Sequence, residues 1–329
     1  MDYKDQVVVV TGAGGFIGSH LTEALLESGA RVNALVRYSS HNYWGFLEPY
    51  RNDLHPRLTV MAGDIRDPSF VEKMISGADY VFNLAALIAI PYSYQAPMSY
   101  VETNIQGCLN VLEACRRHPV RRLIQTSTSE VYGTARYTPI DEEHPLQAQS
   151  PYSATKIAAD KLAESYYRSF DLPVTILRPF NTFGPRQSIR AVIPTILTQA
   201  LAGTSIRLGS LLPIRDLTYV SDTVRAFMAS ALSQETLGKT VNCGSGRGVT
   251  IGELVQIVGE LLNLSLEVQQ EEERLRPERS EVFTLICNNT LAKEVMAWQP
   301  EVGLEQGLSR TIDWFKEHFK GESVGTYVV

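Results

Sequence analysis

Val7-Val8-Val9-Val10-Thr11-Gly12-Ala13-Gly14-Gly15-Phe16-Ile17-Gly18 is the stretch that decides the fold. Four β-branched residues in a row, without polar alternation, are too short for a helix. They read as a strand covered on both faces, the pattern of a parallel sheet. After the glycines at 12, 15 and 18, Leu21, Leu25 and Leu26 recur at helical spacing as far as Gly29. Strand, glycine turn, helix is the context in which such a motif cradles a dinucleotide. The glycines let the backbone turn sharply, approach a pyrophosphate and pack the helix on the strand, while the helix N-terminus offers free N–H groups to the phosphates. Gly12, Gly14, Gly15, Phe16, Ile17 and Gly18 are the cofactor contacts expected there.

Further along, strand and helix patterns alternate. The next strand, Val32 to Val36, ends on Arg37-Tyr38-Ser39-Ser40, with no carboxylate between Glu27 and Glu48 to hold a ribose 2′-hydroxyl. A guanidinium beside hydroxyls suits a 2′-phosphate, so Arg37 and Ser40 favour NADP over NAD. The alternative is that Arg37 stacks on the adenine, which would serve NAD equally. Residues 41–56 show no period and read as a long surface loop. Strands follow at 58–61 and 80–84. Asp67-Pro68 suits the start of a helix, with Asp67 as its N-cap. Residues 97–117 carry an apolar stripe of Val101, Ile105, Leu109, Leu112 and Cys115, which predicts a helix with Asn104 in a structural role. Strand five, 122–126, delivers Thr126-Ser127-Thr128-Ser129-Glu130-Val131-Tyr132-Gly133 at its carboxyl end, where active residues are expected in an open parallel sheet.

Ser150-Pro151 opens a helix that carries Tyr152 and Lys156 at i and i+4, so both point the same way. A free tyrosine titrates near 10 and is a poor base at neutral pH. A lysine ammonium one turn away, together with a nicotinamide's positive charge, favours the phenolate. Glu130, two residues beyond Thr128 in extended chain, brings a second base to the same place.

The GxxGxxG turn, the 126–133 stretch and the Tyr152-Ser153-Ala154-Thr155-Lys156 motif resemble the extended short-chain dehydrogenase/reductases that act on nucleotide sugars. Leu84 to Tyr94, the Tyr43-Trp44-Gly45-Phe46-Leu47 loop and Arg178-Pro179-Phe180-Asn181-Thr182-Phe183-Gly184-Pro185-Arg186-Gln187 are similar to the 4,6-dehydratases of the legionaminic-acid pathway. The likeness covers residues 7 to about 290. It implies an α/β fold: a Rossmann-type doubly wound parallel sheet with a smaller C-terminal α/β substrate-binding domain. The cofactor domain would be 1–178 with segments returning near 217–245, and the substrate domain 179–216 plus 246–329.

By the same resemblance Thr128 shares the substrate hydroxyl with Tyr152, and Asp64 and Ile65 border the adenine. Leu84, Ala85 and Ala86 lie under the cofactor, and Pro179 rests against the nicotinamide. Asn181 stands near the sugar-nucleotide phosphates, Val192 near the base, and Arg215 and Arg276 are diphosphate ligands. Asp222 anchors structure. Arg274 and Arg279 read as balancing Glu271, Glu272 and Glu273. Many related dehydratases carry Asp between the Thr and the Glu as the acid for the leaving hydroxyl; here Ser129 takes that place among the catalytic candidates, a Thr-Ser-Glu form that occurs both in the GDP-mannose dehydratase branch and in UDP-glucuronate decarboxylases. The acid is left open, a shuttle of the Glu130 proton to the C6 hydroxyl, directly or through water, being one route. The implied reaction converts UDP- or GDP-N-acetylglucosamine to the 4-keto-6-deoxy sugar, with NADP or NAD bound tightly and recycled. Rival outcomes on the same residues are 5,6-dehydration, 4-epimerisation and decarboxylation of a UDP-glucuronate type. A rival of another class is an inactive NAD(P)-sensing protein.

A net charge of −6 argues against broad nucleic-acid binding. Cys108, Cys115, Cys243 and Cys287 show no metal-like spacing and read as reduced thiols, so no metal is expected. No apolar run approaches the roughly 20 residues of a membrane helix, and Met1 to Asp5 does not resemble a signal peptide. The expectation is a cytoplasmic protein without nucleic-acid or membrane partners. The family resemblance also implies homodimerisation, through the helices at 97–117 and 152–170, which resemble the pair that forms a four-helix interface there. Gly321 to Val329 reads as a loose tail.

Overall fold

A computed structural model of the protein describes residues 2–52, the side chain of Asn52 excepted, and 55–319; the tail reading for 321–329 lies outside them. In chain order the strands are β1 (Val7–Thr11), β2 (Arg31–Arg37), β3 (Leu58–Gly63), β4 (Tyr80–Asn83), β5 (Arg122–Thr126), β6 (Val174–Pro179), β7 (Asn181–Phe183), β8 (Ser205–Leu208), β9 (Ile214–Tyr219), β10 (Thr240–Cys243), β11 (Gly248–Thr250), β12 (Glu267–Gln270) and β13 (Thr284–Leu285). One seven-stranded sheet has the order β10-β6-β5-β4-β1-β2-β3, with every pairing parallel.

The valine run explains itself here. Val8 and Val10 enter the core on one face of the sheet, with Phe82, Ile124 and Leu177. Val9 enters the core on the other, with Val81, Leu123 and Ile176. Successive side chains leave a strand on opposite faces, so a sheet buried twice needs an unbroken apolar run. The strand order reverses between β1 and β4, and their carboxyl ends therefore open a crevice. Thr11 fixes that crevice: its hydroxyl donates to Asn83 Oδ1 at 2.7 Å and accepts the N–H groups of Leu84 and Ala85.

A second sheet is centred on β9, which pairs with β7, β11 and β13, and β8 pairs with β12. Within the stretch 217–245, β9 stays in this second sheet as far as Tyr219; the helix Val220–Leu232 then packs on the core of the large sheet, and β10 pairs with β6. The reason lies in β9. Its backbone is used by the small sheet, and buried Asp216 accepts N–H groups from Ser245, Gly246 and Cys287, tying the strand to its own lobe.

Two other segments differ from expectation. Residues 41–56 contain a 3₁₀ turn, Gly45–Leu47, and a short helix, Pro49–Asn52. The helix expected at 97–117 is α-helical over Pro97–Tyr100, widens to a π turn over Val101–Gln106 and resumes as α-helix over Gly107–Arg117. The π turn holds Asn104, whose amide bonds both the N–H and the C=O of Leu87 and also the Thr155 hydroxyl. Asp67 caps the helix Pro68–Ile75 as expected, accepting from Ser69 and Phe70 N–H. All four cysteines are free and buried. Among the described residues no helix is long and apolar enough to cross a membrane.

Candidate active site

The carboxyl ends of β1, β4, β5 and β6 face the second lobe across one cleft of about 1910 Å³. That is roughly twice the upper size of an ordinary small-ligand pocket, enough for two nucleotide-sized molecules at once. Gly12, Gly14, Gly15, Phe16, Ile17, Gly18 and Arg37 line it, as do Leu84, Ala85, Ala86 and Pro179. Thr128, Ser129, Glu130, Tyr152 and Lys156 line its centre, and Asn181, Val192, Arg215 and Arg276 its far side.

Three expected cofactor contacts do not join them. Asp64 is held by Arg66, which donates to both carboxylate oxygens at 3.0 and 2.7 Å. Ile65 is turned into the core, where it faces Gly107. The exposed Ser40 hydroxyl lies beside His41 Nδ1.

The glycine turn fits a dinucleotide backbone. Gly12 has φ +69°, and a Cβ there would lie 3.0 Å from Ala85 N. Gly18 abuts the Gly12 carbonyl so closely that any side chain would collide with it. Gly14 serves a different purpose from the one its motif suggests: a Cβ would strike the Trp44 carbonyl at 2.6 Å. Its bareness lets the 44–47 turn dock, with Phe46 N–H donating to Gly14 O at 3.0 Å. Gly15 meets only Gly12 O, at 3.2 Å, and so leaves the helix N-terminus open to the cleft.

Ser150 and Ser153 form a capping box, with Pro151 in the first turn, and so start the helix Pro151–Phe170 at the cleft wall. Tyr152 and Lys156 are buried on its inner face. Burial pushes the Tyr152 phenol well above its ordinary value, the Thr128 hydrogen bond pulls it down, and the Glu130 charge adds to the rise. Burial pulls the Lys156 ammonium below the usual lysine range, while Asp160 one turn on holds it up. Lys156 Nζ donates to Thr126 O at 2.6 Å. Within the protein alone, therefore, the lysine is aimed at the β5 main chain, and burial rather than the lysine governs Tyr152. Asp160 is in turn clamped by Arg178 at 3.0 Å and by the Ser127 hydroxyl at 2.6 Å. Both members of that ion pair are almost fully buried.

Thr128 caps the 3₁₀ turn Ser129–Tyr132, accepting from Glu130 N–H at 3.3 Å. That cap brings buried Glu130 into the cleft beside Tyr152. Across from it stand two guanidiniums. Arg276 Nη1 is 3.9 Å from Glu130 Oε2. Buried Arg215 pairs at 3.4 Å with Glu281, a cleft-lining carboxylate that no motif pointed to. Thr11, Asn83 and Gln125 were also missed. Their linked side chains run under the crevice from β1 to β5, and a polar residue in an apolar run was the only signal for each. Arg274 pairs with Glu271, as its charge balance suggested. Asp222 accepts the N–H groups of Glu301 and Val302, an anchoring role.

A family model described as GDP-mannose 4,6 dehydratase matches residues 9–311. The chain is 33% identical to the low-salt glycan biosynthesis protein Agl12 of Haloferax volcanii, over 94% of this chain and 98% of that one. A UDP-N-acetylglucosamine 4-epimerase of Methanobrevibacter ruminantium, solved with UDP-N-acetylmuramic acid, superposes with a TM-score of 0.87 at 32% identity, covering 95% of this chain and 99% of that one. The dTDP-glucose 4,6-dehydratase DesIV of Streptomyces venezuelae, solved with NAD bound, gives 0.86 at 28% identity, covering 95% and 98%.

Proposed function

The chain belongs to the NAD-dependent epimerase/dehydratase family, matching its GDP-mannose 4,6-dehydratase branch, and from that premise we propose that it is a nucleotide-sugar 4,6-dehydratase acting on UDP- or GDP-linked N-acetylglucosamine. One observation carries this choice within the family: a buried carboxylate, Glu130, shares the cleft centre with Thr128 and Tyr152. Oxidation at a sugar carbon needs only the hydroxyl, phenol and lysine. A second base is what a dehydration adds.

Tyr152 Oη takes the proton of the C4 hydroxyl, which Thr128 Oγ1 holds by a shared hydrogen bond. Lys156, turning from Thr126 O, would supply the positive charge that the buried phenol lacks. A nicotinamide dinucleotide, its pyrophosphate held at the glycine turn, would supply the hydride chemistry: uptake from C4 and return at C6. Glu130 removes the C5 proton, made acidic by the neighbouring ketone, and passes it to the C6 hydroxyl, which leaves as water; C5 then takes a solvent-derived proton, which balances the one Tyr152 took from the C4 hydroxyl. Arg215 and Arg276 bind the diphosphate with charge-assisted hydrogen bonds. Tyr152, Tyr100 and Ile90 pack as one cluster with Leu87 beside it, an apolar wall that suits an uncharged N-acetylhexosamine better than a hexuronate.

The cofactor we propose is NADP or NAD, with NADP favoured because Arg37 faces the cleft while the nearby carboxylate, Asp64, is already paired. The protein is proposed to work in the cytoplasm as a homodimer through the helices at 97–117 and 151–170. On that surface Met98 is 66% and Phe170 51% exposed. Sedimentation at the single-chain mass of 36.6 kDa would contradict the dimer.

The reaction itself is tested by incubating UDP- and GDP-sugars with the enzyme, without added cofactor, and weighing the product. Loss of about 18 mass units in ordinary water, and of about 17 in deuterium oxide where C5 takes up one deuterium, is the expected result for an overall loss of water. Unchanged mass points instead to 4-epimerisation. Hydrogen carried from C4 to C6 separates 4,6- from 5,6-elimination.

A further inference from the structure

The far side of the cleft holds four charged groups whose pairing is incomplete. Glu281 Oε1 receives the Val282 N–H at 3.1 Å, Arg215 Nη2 at 3.4 Å, and stands 3.9 Å from Arg276 Nη1. The same Arg276 nitrogen is 3.9 Å from Glu130 Oε2. It is buried and has no hydrogen-bond partner among the described residues. At that distance it attracts both carboxylates and bonds neither. Two guanidiniums and two carboxylates sum to zero charge, so the group has no net pull on an anion until one of its pairs opens. A buried cationic N–H without an acceptor is costly, which makes this nitrogen the one most ready to take a new partner.

We propose that Glu281 is a positioning residue that holds Arg276 away from Glu130, and that the diphosphate of a nucleotide sugar draws Arg276 off both carboxylates, leaving Glu130 free to take a proton only when substrate is in place. The proposal rests on the reading of Glu130 as the C5 base. Glu281 needs no contact with the sugar for this role. Without its charge, Arg276 has one carboxylate left to pair with and closes on Glu130 as a hydrogen-bonded ion pair. A carboxylate so paired is a weaker base. Removing a carboxylate that competes for Arg276 also favours any diphosphate that binds there. Affinity and turnover should then move in opposite directions, which loss of a merely structural residue would not produce.

The experiment compares wild type, Glu281→Gln, Glu281→Asp and Glu130→Gln in calorimetric titrations with UDP and with GDP, which require no reaction. Turnover of the corresponding N-acetylglucosamine nucleotide is measured in parallel. Glu281→Gln is expected to bind the preferred nucleotide about threefold more tightly, the scale of one screened charge interaction, while its turnover falls roughly tenfold. Glu281→Asp should move both values back toward wild type. Glu130→Gln removes the other carboxylate facing Arg276 and should also tighten binding, which keeps the test alive if Glu281→Gln does not fold. Weaker nucleotide binding by Glu281→Gln or by Glu130→Gln, or affinity and turnover falling together, overturns the tether while wild-type dehydration stands. Wild-type protein that binds the nucleotide without dehydrating its sugar overturns the reaction, and the binding comparison still judges the tether. Binding of neither nucleotide by wild type overturns both.

Discussion

The two walls of the cleft are built on different physical terms. On the sheet side, the groups that would meet a cofactor are held by the backbone and by short, fully made hydrogen bonds. Thr11 pins the turn after β4, Lys156 bonds the Thr126 carbonyl, and Ser150 caps the helix that carries Tyr152. Across from them Arg215, Arg276 and Glu281, with Glu130 facing them from the cleft centre, sit in ion pairs of 3.4 to 3.9 Å, longer than a good hydrogen bond. The first wall is largely built before any ligand arrives, with Lys156 the group that must turn. The second is a set of charges that can exchange partners, and such loosely satisfied groups are the ones a charged ligand rearranges at least cost. The lesson is that redox geometry is supplied by the fold, whereas acid–base timing depends on which anion is present.

The sharpest way to break this contrast is to remove one member from each wall. Tyr152→Phe should lower turnover by about 10³-fold, within the range for loss of a positioned proton carrier, and leave UDP or GDP affinity within about twofold. Glu130→Gln should lose about 10²- to 10³-fold in dehydration and in solvent deuterium at C5, while its nucleotide affinity moves upward. If both variants changed affinity alike, the two walls would not be separate devices. Turnover is read from product mass and affinity from calorimetry.

That asymmetry also governs how much could be read from the chain. The sheet side was legible because its parts are local: a valine run, glycines at fixed offsets, and a Tyr and Lys one turn apart on a helix whose serine cap is in the sequence. Even there, tertiary contacts add what the sequence does not show: Gly14 also has the Trp44 carbonyl against it, and Asp64 is paired with Arg66 two residues on. The charged wall was only half legible. Arg215 and Arg276 came from motif resemblance, but nothing in the sequence distinguishes Glu281 from Glu271, Glu272 or Glu273. Only the fold decides which acid lies under an arginine. The place of β9 in the second sheet was no more legible, since Asp216 ties it to loops 30 and 71 residues away.

A smaller effect sharpens the contrast on the sheet side, at one site where charge is unwelcome. His20 lies in the helix Phe16–Glu27 that follows the glycine turn, packed edge-on against Phe16. Burial, with Arg186 nearby, lowers its pKa from 6.5 to about 4. A histidine depressed in the folded state favours folding fully above the unfolded value. That contribution is lost as pH falls from 6.5 toward about 4. The loss amounts to about 2–3 kcal/mol at the acid end. The thermal midpoint of the wild type should therefore drop over that window by more than that of His20→Gln. Parallel curves for the two proteins would show that the helix tolerates the charge.

Arg37 is an exposed charged group at the cleft rim on the sheet side, and it carries the smallest expected effect. β2 delivers it in register with Gly63 of β3, its side chain is exposed at the cleft rim, and the carboxylate that follows Gly63 is already bonded to Arg66. An open guanidinium at a strand tip can take a 2′-phosphate through forked, charge-assisted hydrogen bonds. A 2′-hydroxyl offers it far less. Arg37→Ala should then weaken NADP by about tenfold, near 1.4 kcal/mol, and leave NAD almost unchanged. Equal losses for the two cofactors in a direct titration would mean that the guanidinium stacks on the adenine and reads no phosphate. In that case Arg37 would not read the cofactor's charge, and the division between the walls would be complete.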